Sequence, residues 1–289
     1  MDFPSAYAIA LSAGVFFGLH DAMIRVGGPS GGAGFTTLLS LASGYPVILL
    51  FAAVLGGFSL VSFKAFIFYV LAGVLNFSVG RVSVYVAINR VGAGIASILV
   101  ATSIVHGVIL GVVMGEPLSR FHVIGSMLIL LSVVLASSRN SGGGSLDFMG
   151  IAAGLLGGFS IAASIALGRI GNLESGNPIA GVFIAYTSGL LSEVVIEGFR
   201  GHVSLEGLNR RYFLSISAAG MLAAMGQVAR YVALMYLGPQ IVTPAQNVRP
   251  IVSSVGSSTL SKYTGEHLSL KVILSAFLAL VGAAVIYWG

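Results

Sequence analysis

The sequence lacks cysteine altogether and is poor in charge. Without cysteine it has no disulfide framework, no thiolate metal site and no cysteine nucleophile. Charged residues make up 8% of the chain, against about 25% in soluble domains, whereas hydrophobic residues make up 56% and the mean hydropathy is +1.00. These proportions exclude water as the main solvent and predict a chain embedded in a lipid bilayer, with no separate soluble domain.

Short motifs of hydrolytic and phosphate chemistry are also missing. The chain has no HExxH zinc motif and no phosphate-binding loop, and its GxSxG string at 28–32 lies between two predicted helices, without the strand–turn–helix context of a nucleophile elbow. Its five histidines are far apart in sequence, and its 14 lysines and arginines are scattered among predicted helix ends, without a basic stripe. We therefore expect no enzymatic activity, no metal, no cofactor and no nucleic-acid partner.

Apolar runs separated by charged, Gly, Pro and Asn clusters predict an all-α membrane protein with ten transmembrane helices. Each span needs about 20 largely apolar residues, so the chain accommodates ten with short connections. The first run follows no basic segment and precedes no small-residue cleavage site, so we expect it to be retained. The predicted spans are 5–26, 33–56, 65–89, 93–114, 119–138, 147–169, 178–199, 212–236, 240–261 and 267–288.

The second half of the chain repeats landmarks of the first. Residues 80–92 read GRVSVYVAINRVG, and residues 226–238, 146 positions later, read GQVARYVALMYLG. The glycine pair of the first span, Gly14 and Gly18, recurs 140 positions later. The offset grows along the chain, as loop insertions would make it. A duplicated block of spans is typical of secondary transporters.

A flexible linker at 138–145 divides the ten spans into a first five-helix repeat at 1–140 and a second at 141–289. Because five is odd, the second repeat must enter the membrane from the opposite side, which makes the repeats inverted. With this topology, the lysines and arginines assigned to loops favour both termini outside. That count places Arg169 in a loop at the end of the sixth span.

The order and spacing of these landmarks resemble the ten-helix EamA-like family of the drug/metabolite transporter superfamily, over the whole chain. Pro250 fits the proline common in the ninth helix of that family, whereas Ile104 stands at the equivalent position of the fourth helix. The resemblance implies a solute carrier with a central cavity between the halves, for amino acids, metabolites or other small organic molecules. The matching segments are the glycine-rich first helix of each half, the Tyr-Val-Ala runs at 85–92 and 231–238, and the Gly-Glu-x-Leu-Ser segments at 115–119 and 265–269.

Three arginines, Arg81, Arg230 and Arg249, fall inside predicted spans and away from their ends. An ionised group at mid-bilayer costs about 2.5 to more than 10 kcal/mol unless it is paired or faces water. One interpretation is that Arg81 and Arg230 attract the anionic part of a solute, because guanidinium offers a planar fork of donors. The other is that each arginine is a structural partner of Asp21 or Glu193, or extends to an interface. For Arg249 we favour the structural interpretation.

Further polar side chains are candidates for the same space. Pro244 and Pro250 are expected to interrupt the ninth span, which would present the amides of Gln246 and Asn247 to a solute. The alternative for such residues is hydrogen bonding between helices, and for tyrosine ordinary packing. The remaining candidates for solute binding are Asn76, Tyr85, His106, Gln227 and Tyr231.

Together these features predict a secondary transporter that moves an amino acid or another anionic or zwitterionic metabolite across the cell membrane by alternating access. Asp21 and the adjacent His20 are the candidates for coupling to protons, unless Asp21 lies at the membrane interface. The expected partners are the lipid bilayer and a small solute, with monomer and homodimer both open. The alternative is an exporter or flippase for neutral or amphipathic compounds, in which the arginines are structural.

Overall fold

The computed structural model describes residues 1–27, 32–137, 147–200, 209–264 and 270–288, and every secondary-structure element in these ranges is helical. The first half contains α1 (Phe3–Gly27), α2 (Ala33–Val54), α3 (Phe63–Val74), a π-helical segment (Leu75–Arg81), α4 (Val82–Ala101), α5 (Ser103–Val113) and α6 (Arg120–Ser137). The second half contains α7 (Phe148–Ser175), α8 (Pro178–Arg200), α9 (Arg210–Tyr236), α10 (Pro239–Gln246), α11 (Arg249–Thr259), α12 (Ser261–Thr264) and α13 (Leu270–Trp288).

The helices of the described ranges are long and apolar enough for a multi-pass membrane protein. Large apolar side chains such as Leu191 and Phe277 point outward and are exposed, as lipid-facing residues are. Three shorter apolar helices are Leu99–Val113, Arg120–Leu135 and Ile273–Trp288. The six segments of full spanning length are Phe3–Gly27, Gly34–Val54, Phe63–Val84, Phe148–Ser175, Pro178–Phe199 and Arg210–Tyr236.

The boundary between the third and fourth predicted spans falls within α4. The sequence predicts a break between 89 and 93, and a further helix break lies at Thr102, where α4 ends. Along α7, Val91 lies beside Gly150, whereas Leu99 lies beside Gly154 and Thr102 beside Gly158, so the chain reverses direction between Val91 and Leu99. The prediction rested on the cluster of charged, Asn and Gly residues at 89–92. No proline stands between Pro46 and Pro117 to force a break.

The π-helical segment Leu75–Arg81 interrupts the regular α-helix of the third span. Its backbone bonds join residues five apart, and such segments occur frequently at functional sites. Gly80 fits this geometry, because a Cβ built there would lie 2.9 Å from the carbonyl oxygen of Leu75. The segment carries Asn76 and Arg81, two of the candidate polar residues.

Helices of each half pack against helices of the other half. Helix α1 packs against α9, and α7 packs against α3, the π-helical segment and α4, so the first helix of each half lies in the other half. Helix α5 packs against α10, and α6 against α13. Glycines permit close approach: a Cβ on Gly18 would lie 2.7 Å from the carbonyl oxygen of Arg249, and one on Gly158 would lie 3.1 Å from that of Val100. Each first helix therefore passes beside a helix break.

Apolar clusters fill the space around the centre of the molecule. One cluster includes Tyr7, Ile104 and Leu234, and a second includes Tyr69 and Tyr231. Both clusters draw side chains from both halves. The polar groups described next lie where α1, the π-helical segment, α9 and the α10–α11 break meet.

Candidate solute-binding site

Arg230 is the centre of a buried polar cluster. It lies on α9 with 5% of its surface exposed. Its Nε donates to the side-chain oxygen of Gln246 at 2.5 Å, and its Nη1 donates to those of Asn76 at 3.3 Å and Gln227 at 3.4 Å. The guanidinium also lies over the ring of Phe17, 4.5 Å from the centroid. The cluster is surrounded by four elements: α9, α10, the π-helical segment and α1.

The charge of Arg230 is not neutralised by these contacts. All three acceptors are amide oxygens, and within the described ranges Arg230 forms no ion pair with a carboxylate. Amide oxygens satisfy donor geometry but carry no net charge, so the buried site keeps its positive potential. A charged group kept in this way is costly, and a bound anion would lower that cost.

Arg81 adds a second cation at the end of the π-helical segment. Its guanidinium lies over the ring of Phe77 at 5.2 Å. Its Nη1 is buried without a hydrogen-bond acceptor among the residues that the structure describes, and Arg81 likewise forms no ion pair there. The positive charges of Arg81 and Arg249 repel that of Arg230. Among the described residues, the centre therefore contains Arg230, which has no carboxylate partner, and Nη1 of Arg81, which has no hydrogen-bond acceptor.

Arg249 has the partner that the structural interpretation expected. It donates to Asp21 through both Nε, at 2.5 Å, and Nη2, at 2.6 Å, in a bidentate ion pair between α11 and α1. The two side chains remain 38% and 26% exposed. His20 donates from Nδ1 to the carbonyl oxygen of Ala219 at 2.9 Å, since a carbonyl can only accept. Its Nε2 faces Asp21 Oδ1 at 3.8 Å.

The helix break between α10 and α11 is the interruption that the two prolines predicted. Gln246 ends α10, and its amide nitrogen donates to the carbonyl oxygen of Val242 at 3.0 Å, which aims its oxygen at Arg230. Asn247 donates to the carbonyl oxygen of Thr243 at 2.7 Å. Gln246 is thus part of the Arg230 cluster, whereas Asn247 binds the backbone at the break.

Two other candidates lie apart from the cluster. The ring of Tyr231 packs 6.1 Å from that of Tyr69 in an apolar cluster. His106 lies edge-on to Phe159 with ring centroids 5.6 Å apart, and its Nδ1 has no hydrogen-bond partner among the described residues. The side chain of Tyr85 lies outside the described part of the structure.

Sequence reasoning missed Phe17 and a buried network around Arg169. Arg169 does not lie in a loop, because α7 continues to Ser175. Its Nε donates to Glu116 at 2.7 Å, and its Nη1 donates to the carbonyl oxygens of Leu234 at 3.0 Å and Met235 at 2.8 Å. Asn172, three residues on, is fully buried and donates to the backbone of α9. The spacing of Arg169 and Asn172 on one helical face was the available signal.

Two surface cavities flank the cluster. One, of about 490 Å³, is an apolar crevice between α1 and α11, lined by Leu19, Ile251, Val252, Val255, Gly256, Thr259 and Leu260. The other, of about 550 Å³, lies at the end of the bundle where α1 begins and α9 ends, and its lining includes Glu116, His122, Gln240 and Trp288. Arg230 lines neither cavity.

These features define a helical membrane protein whose two halves enclose buried cationic and amide groups. The sequence profile of the EamA-like transporter family matches residues 4–138. Over these residues, somewhat less than half of the chain, it is similar to this family of transporters, which is part of the drug/metabolite transporter superfamily.

Comparison with solved structures supports the same fold over the whole chain. A solved structure described as the crystal structure of a protein superposes with a TM-score of 0.77, covering 98% of this chain and 96% of that chain, at 15% sequence identity. At this identity the likeness shows the fold alone. No curated protein sequence matches the chain.

Proposed function

We propose that the protein is a secondary transporter of a small anionic or zwitterionic organic solute, working by alternating access in the cell membrane. The observation that carries this proposal is Arg230, a buried guanidinium held by three amide oxygens and no carboxylate of the described residues. Structural arginines in membranes normally form a pair with an acidic residue or face a water-filled space. A carboxylate or phosphate of the solute would complete the site, with Arg81 as a second contact.

The proposed architecture is ten spans in two inverted repeats. Six full-length spans, three shorter apolar helices and the broken α10–α11 pair make ten. Thr102 and Val248 are 146 positions apart, the offset of the sequence repeat, and both stand at a helix break. Each break lies beside the glycine-rich first helix of the other half. Inverted repeats with interrupted helices at the centre are the usual framework of alternating access.

Closure in this conformation is proposed at the end of the bundle where α1 begins. There Glu116 of the first half is bound by Arg169 of the second, and Lys64 of the first by Glu174 of the second. The apolar cluster around Tyr7 and Leu234 lies between this end and Arg230. Separating the halves here would break these contacts and expose the cluster.

Asp21 is the proposed coupling residue. Asp21 accepts two hydrogen bonds from Arg249. The guanidinium of Arg249 lies 5.8 Å from the centroid of the Phe17 ring, and the guanidinium of Arg230 lies over the same ring. An anionic solute that drew Arg249 away would leave Asp21 without its strongest counter-charge. Asp21 would then bind a proton more readily, because an adjacent cation favours the ionised carboxylate. Solute and proton binding would thereby be linked.

The experiment is solute counterflow into proteoliposomes, with and without a pH gradient, over a panel of amino acids, organic acids, phosphorylated compounds and neutral amphiphiles. We expect uptake of an anionic or zwitterionic class by the native protein and at least a tenfold loss of affinity in Arg230→Gln and Arg81→Gln. Arg120→Gln, which removes an exposed arginine on α6, is the matched control. If folded Arg81→Gln/Arg230→Gln protein transports with native affinity, the arginines are structural and the neutral or amphipathic class takes precedence.

A further inference from the structure

The apolar crevice between α1 and α11 lies on the lipid-facing surface. It is lined by Leu19 of α1 and by Val252, Val255 and Gly256 of α11. Val255 is 41% exposed. Gly256 lets α11 lie close to α1 beneath the crevice, because a Cβ there would lie 3.0 Å from the Cβ of Ala22. A narrow apolar channel between two helices matches the cross-section of an acyl chain more closely than that of a polar solute.

One end of the crevice is basic. Lys262 lies in the short α12, directly after Thr259 and Leu260 of the crevice wall. Arg211, in the first turn of α9, donates from Nη2 to the carbonyl oxygen of Tyr263 at 3.0 Å, and its guanidinium lies 4.7 Å from the centroid of that ring. Arg25 of α1 reaches the hydroxyl of Ser257 at 3.4 Å. Three helices therefore bring cations to the same end.

Two of these cations are available to a ligand. Arg211 and Lys262 are exposed and form no ion pair with a carboxylate in the part of the chain that is described. This end of the bundle is also the one that the lysine and arginine distribution predicts to lie inside, where the leaflet is anionic. Basic pockets between transmembrane helices on that side bind anionic lipid headgroups.

We propose that this crevice binds an anionic glycerophospholipid of the bilayer, with an acyl chain along Val252 and Val255 and the phosphate between Arg211 and Lys262. The lipid would hold α11 against α1. It would therefore influence Arg249 and Asp21, which join the same two helices. The site is separate from the solute cluster and does not depend on the proposed substrate.

The test is lipid binding to the full chain in detergent, measured by native mass spectrometry with phosphatidylglycerol and phosphatidylcholine of identical acyl chains. We expect phosphatidylglycerol to bind at least tenfold more tightly. In Arg211→Gln/Lys262→Gln this preference is expected to fall below about threefold, whereas Arg120→Gln, an exposed arginine at the other end of the bundle, leaves it unchanged. Unfolding temperatures of all variants, measured in parallel, establish that each one is folded.

A second pair of variants tests the crevice itself. Val255→Trp fills it and is expected to reduce retention of both lipids at least fivefold, while Leu214→Trp, on the exposed surface of α9, is not. Equal binding of the two lipids by the native protein would overturn the proposal, as would an unchanged preference in the double variant. Glycerol phosphate competing at the same concentration as phosphatidylglycerol would also overturn it, because the acyl chain would then contribute nothing.

Discussion

Arg230 donates from Nε to the side-chain oxygen of Gln246 across 2.5 Å, and Gln246 is the last residue of α10. The broken helix thus supplies an acceptor to a buried guanidinium at the contact between α9, α1 and the π-helical segment. Because the acceptor is an amide, it orients the guanidinium without cancelling its charge. The neutrality of residue 246 is therefore a requirement of the proposed anion site.

Two substitutions of Gln246 separate the effect of charge at this position from the effect of side-chain shape. Gln246→Glu would place a carboxylate on Arg230, so we expect solute affinity to fall more than tenfold while the protein stays folded. Gln246→Met keeps the shape but removes the acceptor, which should cost about 1–3 kcal/mol of stability with a smaller loss of affinity. Counterflow affinity and chemical unfolding measure the two effects. Equal affinities in the two variants would show that residue 246 acts on the fold alone.

Asp21→Asn tests coupling. Asparagine still accepts a hydrogen bond from Arg249 but cannot take up a proton, so we expect counterflow to persist and its response to a pH gradient to disappear. The cost in stability should be about 1–2 kcal/mol, because the pair is partly exposed and solvent screens it. The readout is uptake with and without an imposed gradient.

Asp147→Asn is the matched control for that experiment. Asp147 caps α7 through the amide of Met149 and accepts from Arg90 at 2.7 Å. The hydrogen bond from Arg90 lowers the pKa of Asp147 below its ordinary value. A lowered pKa keeps this carboxylate ionised at neutral pH, and its protonation begins only in acid, so the control should retain its gradient response. Loss of the response in both variants would contradict a special role for Asp21.

The sequence predicted the membrane class and most of the polar centre because both follow from strong local signals. Arginine and amide residues inside apolar runs are rare, so Asn76, Gln227, Arg230 and Gln246 could be grouped before their contacts were seen. The prolines around Gln246 likewise located the α10–α11 break. These inferences needed only the high cost of burying polar groups in lipid.

Other features left no such signal. The π-helical segment at Leu75–Arg81 has one extra residue in its turn, and no amino-acid composition is characteristic of such a segment. The break at Thr102 occurs without a proline nearby, so no residue in the sequence marked it. Phe17 is an ordinary aromatic residue until Arg230 is placed over its ring. The sequence places Arg169 in a loop at the end of the sixth predicted span, because a charged residue normally ends an apolar run, and its partner Glu116 is remote in sequence.

Removing Arg169 should cost more than removing a comparable exposed cation. The side chains of Arg169 and Glu116 are 10% and 14% exposed, and Arg169 also caps two carbonyl groups at the end of α9. Arg169→Ala would strand these groups, with an expected cost of about 3–5 kcal/mol. Lys64→Ala breaks a pair whose lysine is 64% exposed, and should cost less than about 1 kcal/mol. Chemical unfolding of the two variants in one detergent gives the comparison, and similar costs would exclude Arg169 as a principal contact between the halves.

The close approach of α1 to the α10–α11 break predicts opposite effects for one substitution at two helical glycines. In Gly18→Ala, the new methyl group would meet Val252 Cβ at 2.5 Å and the Arg249 carbonyl oxygen at 2.7 Å, so α11 must shift. We expect about 1–3 kcal/mol of destabilisation and weaker solute binding, because Arg249 moves with α11. Gly198 on α8 has no atom within 4 Å of an added Cβ, so Gly198→Ala should stabilise its helix by about 0.5–1 kcal/mol. Unfolding midpoints of both variants measure the contrast, and a neutral Gly18→Ala would mean that α1 is not held against the break.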